Sequence, residues 1–223
     1  MNAANKFRVA AIVVAVLTAL YASASLFSEI FSPRQPILPA DPSKISAQEV
    51  GPIAQWAAAI SPFRADLDAN YASTVALTAL RPTNDVLSAA ATQTNGDAQE
   101  TVIRVLKAAP HNSELWLLLA LLQTQGKSEV RQIVEALKMS YLTAPSDARL
   151  MPLRIYTAAL SDALADPDLK EFARGDIRLM VMRQPELRRA VVFAYRRASR
   201  LGKSFLEDSV QSIDPSFLTT LRS

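Results

Sequence analysis

The chain has 223 residues, one histidine and no cysteine, which excludes disulfides, cysteine nucleophiles and metal sites built on thiolates or on several imidazoles. Its formal net charge is +3, so the overall charge says little about partners. Alanine and leucine dominate, and only five glycines occur. This composition favours an all-α fold over a glycine-rich α/β enzyme.

The first predicted element is an apolar helix over residues 9–27, "VAAIVVAVLTALYASASLF", which contains no charge, proline or glycine. A helix of this length spans about 28 Å, close to the hydrocarbon thickness of a bilayer. Lys6 and Arg8 precede it, and basic residues stay on the cytoplasmic side of a membrane. The pattern predicts a single-pass anchor, with residues 1–8 in the cytoplasm and the bulk of the chain outside.

The stretch from Tyr21 to Ala24, "YASA", also fits a signal peptide that is cleaved after Ala24. No helix breaker precedes this site and apolar residues continue past it, which favours a retained anchor. A lipoprotein anchor is excluded because the chain has no cysteine. Under either interpretation we expect a bacterial envelope protein whose bulk is periplasmic, held in the inner membrane if the helix is retained.

Residues 28–45 are predicted to form a linker, because Pro33, Pro36, Pro39 and Pro42 recur at every third position. This spacing matches the three residues per turn of a polyproline II helix. Such a run would hold the next domain roughly 30 Å from the membrane. The same spacing also fits a PxxP ligand, although a spacer is favoured outside the cytoplasm.

Residues 46–223 are predicted to form a helical domain. Ser46 and Glu49 form a capping box that starts a helix carrying Trp56 and ending near Ile60. Later helices are predicted over 63–80, from Asn84 or Asp85 to 93, and over 98–108, 113–124, 130–142 and 186–201. The Asn95-Gly96-Asp97 triplet predicts a turn, and Asp166-Pro167-Asp168 predicts a helix start.

The tripeptide Gly-Lys-Ser occurs twice, at 126–128 and at 202–204. A phosphate-binding P-loop needs a second glycine five residues earlier, where this chain has Leu121 and Arg197. The tripeptides therefore indicate joints between helices, in which glycine takes the left-handed conformation and serine caps the next helix. Ser204 and Glu207 have the spacing of a capping box.

Two phrases in the middle of the chain repeat at a period of 35 residues, with prolines at 110 and 145. Together with the helix–turn–helix pattern, residues 85–159 resemble the tetratricopeptide repeat. The residues that match the family pattern are Ala98, Pro110, Trp116, Leu119, Ala120 and Pro145. The chain departs from it at Gln123, where the family has an aromatic residue, and at Pro185, which closes the next unit 40 residues later. The alternative is a non-repetitive helical bundle.

The resemblance implies an irregular α-solenoid, whose helix pairs bury their apolar faces only by stacking on their neighbours. It further implies an adaptor that binds another protein in the groove of the stacked helices. By family likeness alone, it suggests a role in cell-envelope or surface-polysaccharide assembly.

A basic segment, residues 174–203, contains nine basic and two acidic residues. Within its predicted helix, Arg189, Arg196 and Arg200 are spaced by seven and four residues and so share one face. Arginine pairs carboxylates and phosphates bidentately, so we expect an anionic partner: lipid headgroups, an acidic polysaccharide or an acidic protein surface. Nucleic acid is not expected outside the cytoplasm. The alternative is a solvated face with local salt bridges.

No other pattern predicts a catalytic, metal or cofactor site. His111 stands alone in a predicted turn, and the cluster of Asp162, Asp166 and Asp168 lacks the glycine and the distal glutamate of an EF-hand. We therefore expect no enzyme activity and no cofactor. The alternative to an anchored adaptor is a cleaved periplasmic module that binds an anionic polymer or lipid surface through the basic helix.

Overall fold

The computed structural model describes residues 3–31, 38, 65–80 and 89–223. All regular secondary structure within these ranges is helical, which confirms the predicted all-α class. Three predicted features lie outside the described residues: the helix over 46–60, the helix start at Asn84 or Asp85, and the proline-rich linker except for residues 28–31 and Leu38.

The N-terminal helix, α1 (Ala3–Phe31), extends past the predicted span at both ends, so Lys6 and Arg8 lie within it. Residues Asn5–Phe27 have a mean hydropathy of 2.2 and are not buried in the protein, so this helix is long and apolar enough to cross a membrane. The hydroxyls of Thr18 and Ser23 donate to carbonyl oxygens four residues earlier, at 2.9 and 2.8 Å. These hydroxyl protons are therefore satisfied inside the helix.

Shorter helices follow in close succession. They are α2 (Ala65–Ala79), α3 (Ala89–Ala108), α4 (Ser113–Gln125), α5 (Val130–Thr143), α6 (Met151–Leu160), α7 (Pro167–Met182), α8 (Arg188–Arg197), α9 (Arg200–Ile213) and α10 (Phe217–Arg222). Two 3₁₀ turns, Asp162–Ala165 and Pro185–Leu187, precede α7 and α8. The segments predicted at 63–80, 113–124 and 130–142 match α2, α4 and α5 closely.

Side-chain caps set the starts of two central helices. The Asn112 side chain accepts a hydrogen bond from the backbone N–H of Leu115 at 3.0 Å and begins α4. The Asp166 side chain does the same for Leu169 at 2.9 Å, with Pro167 in the first helical position of α7. The helix start predicted at Asp166 and Pro167 is confirmed.

The turn predicted at Asn95-Gly96-Asp97 is wrong, because α3 runs through these residues without a break. The buried Asn95 side chain donates to the carbonyl oxygen of Leu122 at 3.2 Å, at the end of α4. Gln99, one turn further along α3, donates to Asn95 Oδ1 at 2.6 Å. These two hydrogen bonds, the first of them to another helix, outweigh the local turn preference of the Asn-Gly pair.

The two Gly-Lys-Ser tripeptides have different structures. The first connects α4 to α5, as predicted, but Lys127 takes the left-handed conformation (φ 54°), while Gly126 does not (φ −74°). Glu129, and not Ser128, precedes the first residue of α5. The second tripeptide lies inside α9, so the predicted joint there, with Ser204 as its cap, is wrong.

The helices from α2 to α9 pack as consecutive neighbours around one apolar core. Each pair α2–α3, α4–α5, α6–α7 and α8–α9 is in contact. We call α2, α4, α6 and α8 the first helices, and α3, α5, α7 and α9 the second helices. The first helices also contact one another in the order α2–α4–α6–α8, and α5, α7 and α9 do so in turn.

Leu38, within the segment predicted to be a linker, is buried in the core of the helical domain. It lies seven positions after Phe31, the last residue of α1. A fully extended chain rises at most about 3.6 Å per residue, so the two Cα atoms lie within roughly 25 Å of each other. The connection between α1 and the domain is therefore shorter than the predicted linker, which runs to residue 45, and it limits how far the domain can lie from α1.

Candidate functional site

The basic segment near the C-terminus does not form the single helix predicted over 186–201. The chain leaves α8 at Ala198 in an extended conformation, and Ser199 caps α9 by accepting from the backbone N–H of Gly202 at 3.1 Å. The backbone N–H of Ser199 donates to the carbonyl oxygen of Ala159 at 2.8 Å. The end of α6 therefore fixes the position of this break.

The break separates the three predicted binding residues. Arg189 and Arg196 both lie on α8, seven residues apart, and remain on one face of it. Arg200 is the first residue of α9. Because it follows Arg196 by only four residues, its Cα lies within about 14 Å of that of Arg196. The helical spacing that placed all three on one face holds only for the first two.

Helix α8 has a buried side and an exposed side. Val191 and Ala194 are 0% and 1% exposed and face the core. Arg189 and Arg196 lie on the opposite side of the helix and are exposed. The packing of α8 therefore directs these two guanidinium groups to solvent.

The side chains of the three predicted arginines make no hydrogen bond or ion pair with any residue that the structure describes. Nearby acidic side chains already have other partners: Glu171 pairs with Arg174, Glu207 with Arg222, and Asp214 with Arg188. Within residues 174–214, Glu186 and Asp208 are the acidic residues left exposed without an ion pair in the described structure. The alternative of local salt bridges thus has no support at Arg189, Arg196 or Arg200.

An aromatic stack restricts Arg197, the last residue of α8. The guanidinium carbon of Arg197 lies 4.0 Å from the centroid of the Phe193 ring. The Phe193 ring in turn packs against Tyr156 of α6, with centroids 5.5 Å apart. A guanidinium held over an aromatic ring keeps its N–H groups available for an anion.

A second cluster of polar side chains, which the sequence patterns did not predict, is buried where α5, α6 and α7 meet. Arg154 is 0% exposed and donates to the Ser140 hydroxyl at 3.0 Å and to the Ala144 carbonyl oxygen at 3.0 Å. Its guanidinium carbon also lies 4.6 Å from the centroid of the Tyr141 ring. Asp176, 3% exposed, completes the cluster from α7.

Burial controls the ionisation of this cluster. It raises the pKa of Asp176 to about 7, even though the positive charge of Arg154 and the Tyr141 hydroxyl act in the opposite direction. Burial also raises the pKa of Tyr141 well above its usual value, and the negative charge of Asp176 adds to this. Tyr141 Oη, Arg154 Nη1 and Asp176 Oδ2 have no hydrogen-bond partner of ordinary geometry within the described structure. Because its members are buried, the cluster offers no surface to a macromolecular partner.

The other candidate residues have ordinary surroundings. His111 is exposed in the turn between α3 and α4. Lys138 forms ion pairs with Asp166 and Asp168 at 2.8 and 2.9 Å, while Asp166 also caps α7. No group of three or more potential metal ligands occurs among the residues that the structure describes. Trp116 packs against the core, and its Nε1 donates to the carbonyl oxygen of Pro110 at 2.7 Å.

Comparisons with protein-family models, with curated proteins and with solved structures find no match to this chain.

Proposed function

We propose that this protein is a membrane-anchored adaptor of the bacterial cell envelope. Helix α1 crosses the inner membrane with its N-terminus in the cytoplasm, and the helical domain lies in the periplasm. There the stacked helix pairs, similar to tetratricopeptide repeats, bind another protein, in a process such as surface-polysaccharide assembly. No reaction is assigned to it.

Three features of α1 support the anchor. Its large apolar side chains are exposed, from Val9 and Ile12 to Leu26. The helix continues for seven residues beyond Ala24, so the possible cleavage site lies inside unbroken helix. Lys6 and Arg8 occupy the end that the distribution of positive charge assigns to the cytoplasm.

The order of helix contacts supports a stack of helix pairs. Contacts between successive first helices, and between α5, α7 and α9, are those expected when each pair packs on the next. Residues that carry the resemblance to tetratricopeptide repeats occupy packed positions: Ala98 and Ala120 are 0% exposed and Leu119 is 4% exposed.

The distribution of exposed apolar side chains carries the proposal of a protein partner. The first helices α4 and α6 are enclosed, with most of their residues buried, and leave little surface for a groove. The large apolar side chains exposed within residues 65–80 and 89–223 all lie on second helices: Ile103, Val130, Leu142 and Met182. Single exposed apolar residues are common, but their restriction to the second helices favours docking on α3, α5 and α7.

The partner surface is testable by photocrosslinking in cells. A crosslinking amino acid at Ile103, Leu142 or Met182 of the full chain should capture the same protein. Thr219, exposed on α10, provides the matched control position and should capture none. Equal capture from Thr219, or capture of unrelated proteins from the three sites, would contradict a common docking surface.

The anchor is tested separately with a chain tagged at both ends. We expect both tags in one membrane band that resists an alkaline wash. A C-terminal reporter enzyme that is active only in the periplasm should work. A soluble product that has lost the N-terminal tag would instead support the cleaved module, which the unpaired arginines of α8 and α9 would suit as a binder of anionic polymers or lipids.

A further inference from the structure

We propose that the exposed basic side chains of α8 and of the start of α9 bind anionic lipid headgroups of the membrane in which α1 is embedded. We call these five side chains the basic face: Arg189 and Arg196 on one side of α8, Arg197 at its end, and Arg200 and Lys203 in the first turn of α9. Arg200 follows Arg197 by three residues, so the two Cα atoms lie within about 11 Å of each other. The inference rests on the proposed anchor and adds a second, electrostatic contact between the domain and the same membrane.

The chemistry of the basic face suits phosphate groups. Its five side chains are exposed, and none of them forms an ion pair within the described structure. The guanidinium fork of arginine binds phosphate oxygens through two parallel hydrogen bonds. Each basic side chain close to an anionic bilayer increases binding about five-fold, so a group of them acts strongly only when they reach the surface together.

Part of the basic face is ordered before any ligand arrives. Arg197 lies over Phe193, which is held by Tyr156, and Lys203 Nζ lies 5.7 Å from the centroid of the Tyr195 ring. Contacts with aromatic rings restrict these long side chains without neutralising them. Less conformational entropy is then lost when they bind an anion.

The short connection to α1 makes the membrane the favoured occupant over an acidic protein. Leu38 is buried in the domain, and its Cα lies within roughly 25 Å of that of Phe31 at the end of α1. A tether of this length keeps the headgroups at a high effective concentration around the domain. An acidic protein would have to compete with a surface that is always present.

The test uses the full chain in lipid nanodiscs, with a fluorophore on Ser204→Cys. The native chain has no cysteine, so this label is unique, and Ser204 is exposed on α9 beside the basic face. The discs contain either phosphatidylcholine alone or phosphatidylcholine with about one-third phosphatidylglycerol, each with a headgroup-attached quencher. We expect several-fold stronger quenching in the anionic discs, and loss of this excess in high salt because surface charges are screened.

The variant R189E/R196E/R200E should lose the excess quenching while its helical content stays unchanged. The control variant K107E/K127E/R131E makes the same change in charge on α3, the α4–α5 loop and α5, and should keep it. Equal quenching in both lipid mixtures, or strong quenching that survives R189E/R196E/R200E, would overturn the proposal. The proposal would also be overturned if R189E/R196E/R200E no longer formed a photocrosslink to an acidic protein while its lipid quenching persisted.

Failure of the anchor gives a different result. A chain whose α1 does not insert would be removed from both kinds of disc by an alkaline wash. A chain that stays inserted in both but shows no dependence on phosphatidylglycerol refutes the basic-face contact alone.

Discussion

Arg154 closes the C-terminal end of a helix that it does not belong to: its Nε donates to the hydroxyl of Ser140 in α5 at 3.0 Å. The same guanidinium also donates to the Ser140 and Ala144 carbonyl oxygens, at the end of α5 where carbonyl groups run out of helical donors. Arg188 repeats the arrangement one helix pair later, where its Nε and Nη2 donate to the Val181 carbonyl oxygen of α7 at 2.9 and 2.7 Å. An arginine of one helix pair thus terminates the second helix of the preceding pair.

We expect Arg154→Met to lower the free energy of unfolding by about 2–4 kcal/mol, because it leaves buried carbonyl oxygens and Asp176 without their charged neighbour. Arg149→Met is the matched control. Arg149 pairs only with Asp147, its side chain is 72% exposed, and the loss should be below about 1 kcal/mol. Denaturant unfolding of the full chain in detergent micelles, followed by tryptophan fluorescence, measures both. Equal losses would contradict the proposed role of Arg154.

Asp176 gives the protein a specific dependence on pH. Its pKa is about 7 in the folded chain and near 3.8 when unfolded. Between these values the folded state holds a proton that the unfolded state has released, so the free energy of unfolding falls as pH rises from about 4 to about 7. The contribution of Asp176 to this fall is on the order of 2–4 kcal/mol. Above the folded-state pKa both states are ionised and the contribution is constant.

Asp176→Asn should remove this slope. The free energy of unfolding of the variant minus that of the wild type should therefore be larger at about pH 8 than at about pH 5. Arg154 and Tyr141, the charged and titratable groups that face Asp176, are unchanged in this variant. The measurement is the free energy of unfolding at both pH values. Asp168→Asn, at a side chain that is 73% exposed, controls for the loss of a carboxylate. An unchanged slope in Asp176→Asn would show that Asp176 ionises normally.

The sequence predicts the parts of this fold that depend on local periodicity. The apolar run of α1, the leucine-rich α4 and the Asp166-Pro167 helix start all follow from residues within one or two helical turns. Asn95 illustrates the limit. Asn95 is helical because its side chain donates to the carbonyl oxygen of Leu122, 27 residues away, and local sequence patterns cannot predict that partner.

The candidate surface was predicted only in part. The helical spacing predicted one face for Arg189, Arg196 and Arg200. It holds for the first two, but the break before Arg200 depends on Ala159, which is distant in sequence. The buried Arg154 left a signal that could have been used. The stretch "MPLRIYTAAL" is apolar around most of the helix, so a helix there must be enclosed, and its arginine must find partners inside the protein.

Lys127 adopts a backbone conformation that glycine would tolerate better. Its φ of 54° places the Cβ against its own backbone, a conformation that non-glycine residues rarely adopt. Lys127→Gly should raise the free energy of unfolding by about 0.5–1 kcal/mol. Lys127→Ala keeps the Cβ and should give no such gain, which separates backbone strain from loss of the charged side chain. If both variants shift stability equally in the tryptophan-fluorescence assay, the left-handed conformation is not the cause.

Gly202 allows α9 to approach the end of α6. A Cβ at this position would overlap the carbonyl oxygen of Ala159 and lie 3.0 Å from its carbonyl carbon and its Cα, all of them backbone atoms that cannot move independently. Gly202→Ala should therefore lower the free energy of unfolding by about 1–3 kcal/mol, the usual cost of overpacking. Gly175→Ala is the same chemical change, but it should raise the free energy of unfolding. Gly175 lies inside α7, and a Cβ added there would meet no atom within 4 Å, so alanine should stabilise the helix by about 0.5–1 kcal/mol. Urea denaturation of the two variants in parallel measures the sign directly, and a stabilising Gly202→Ala would show that α6 and α9 are not in close contact.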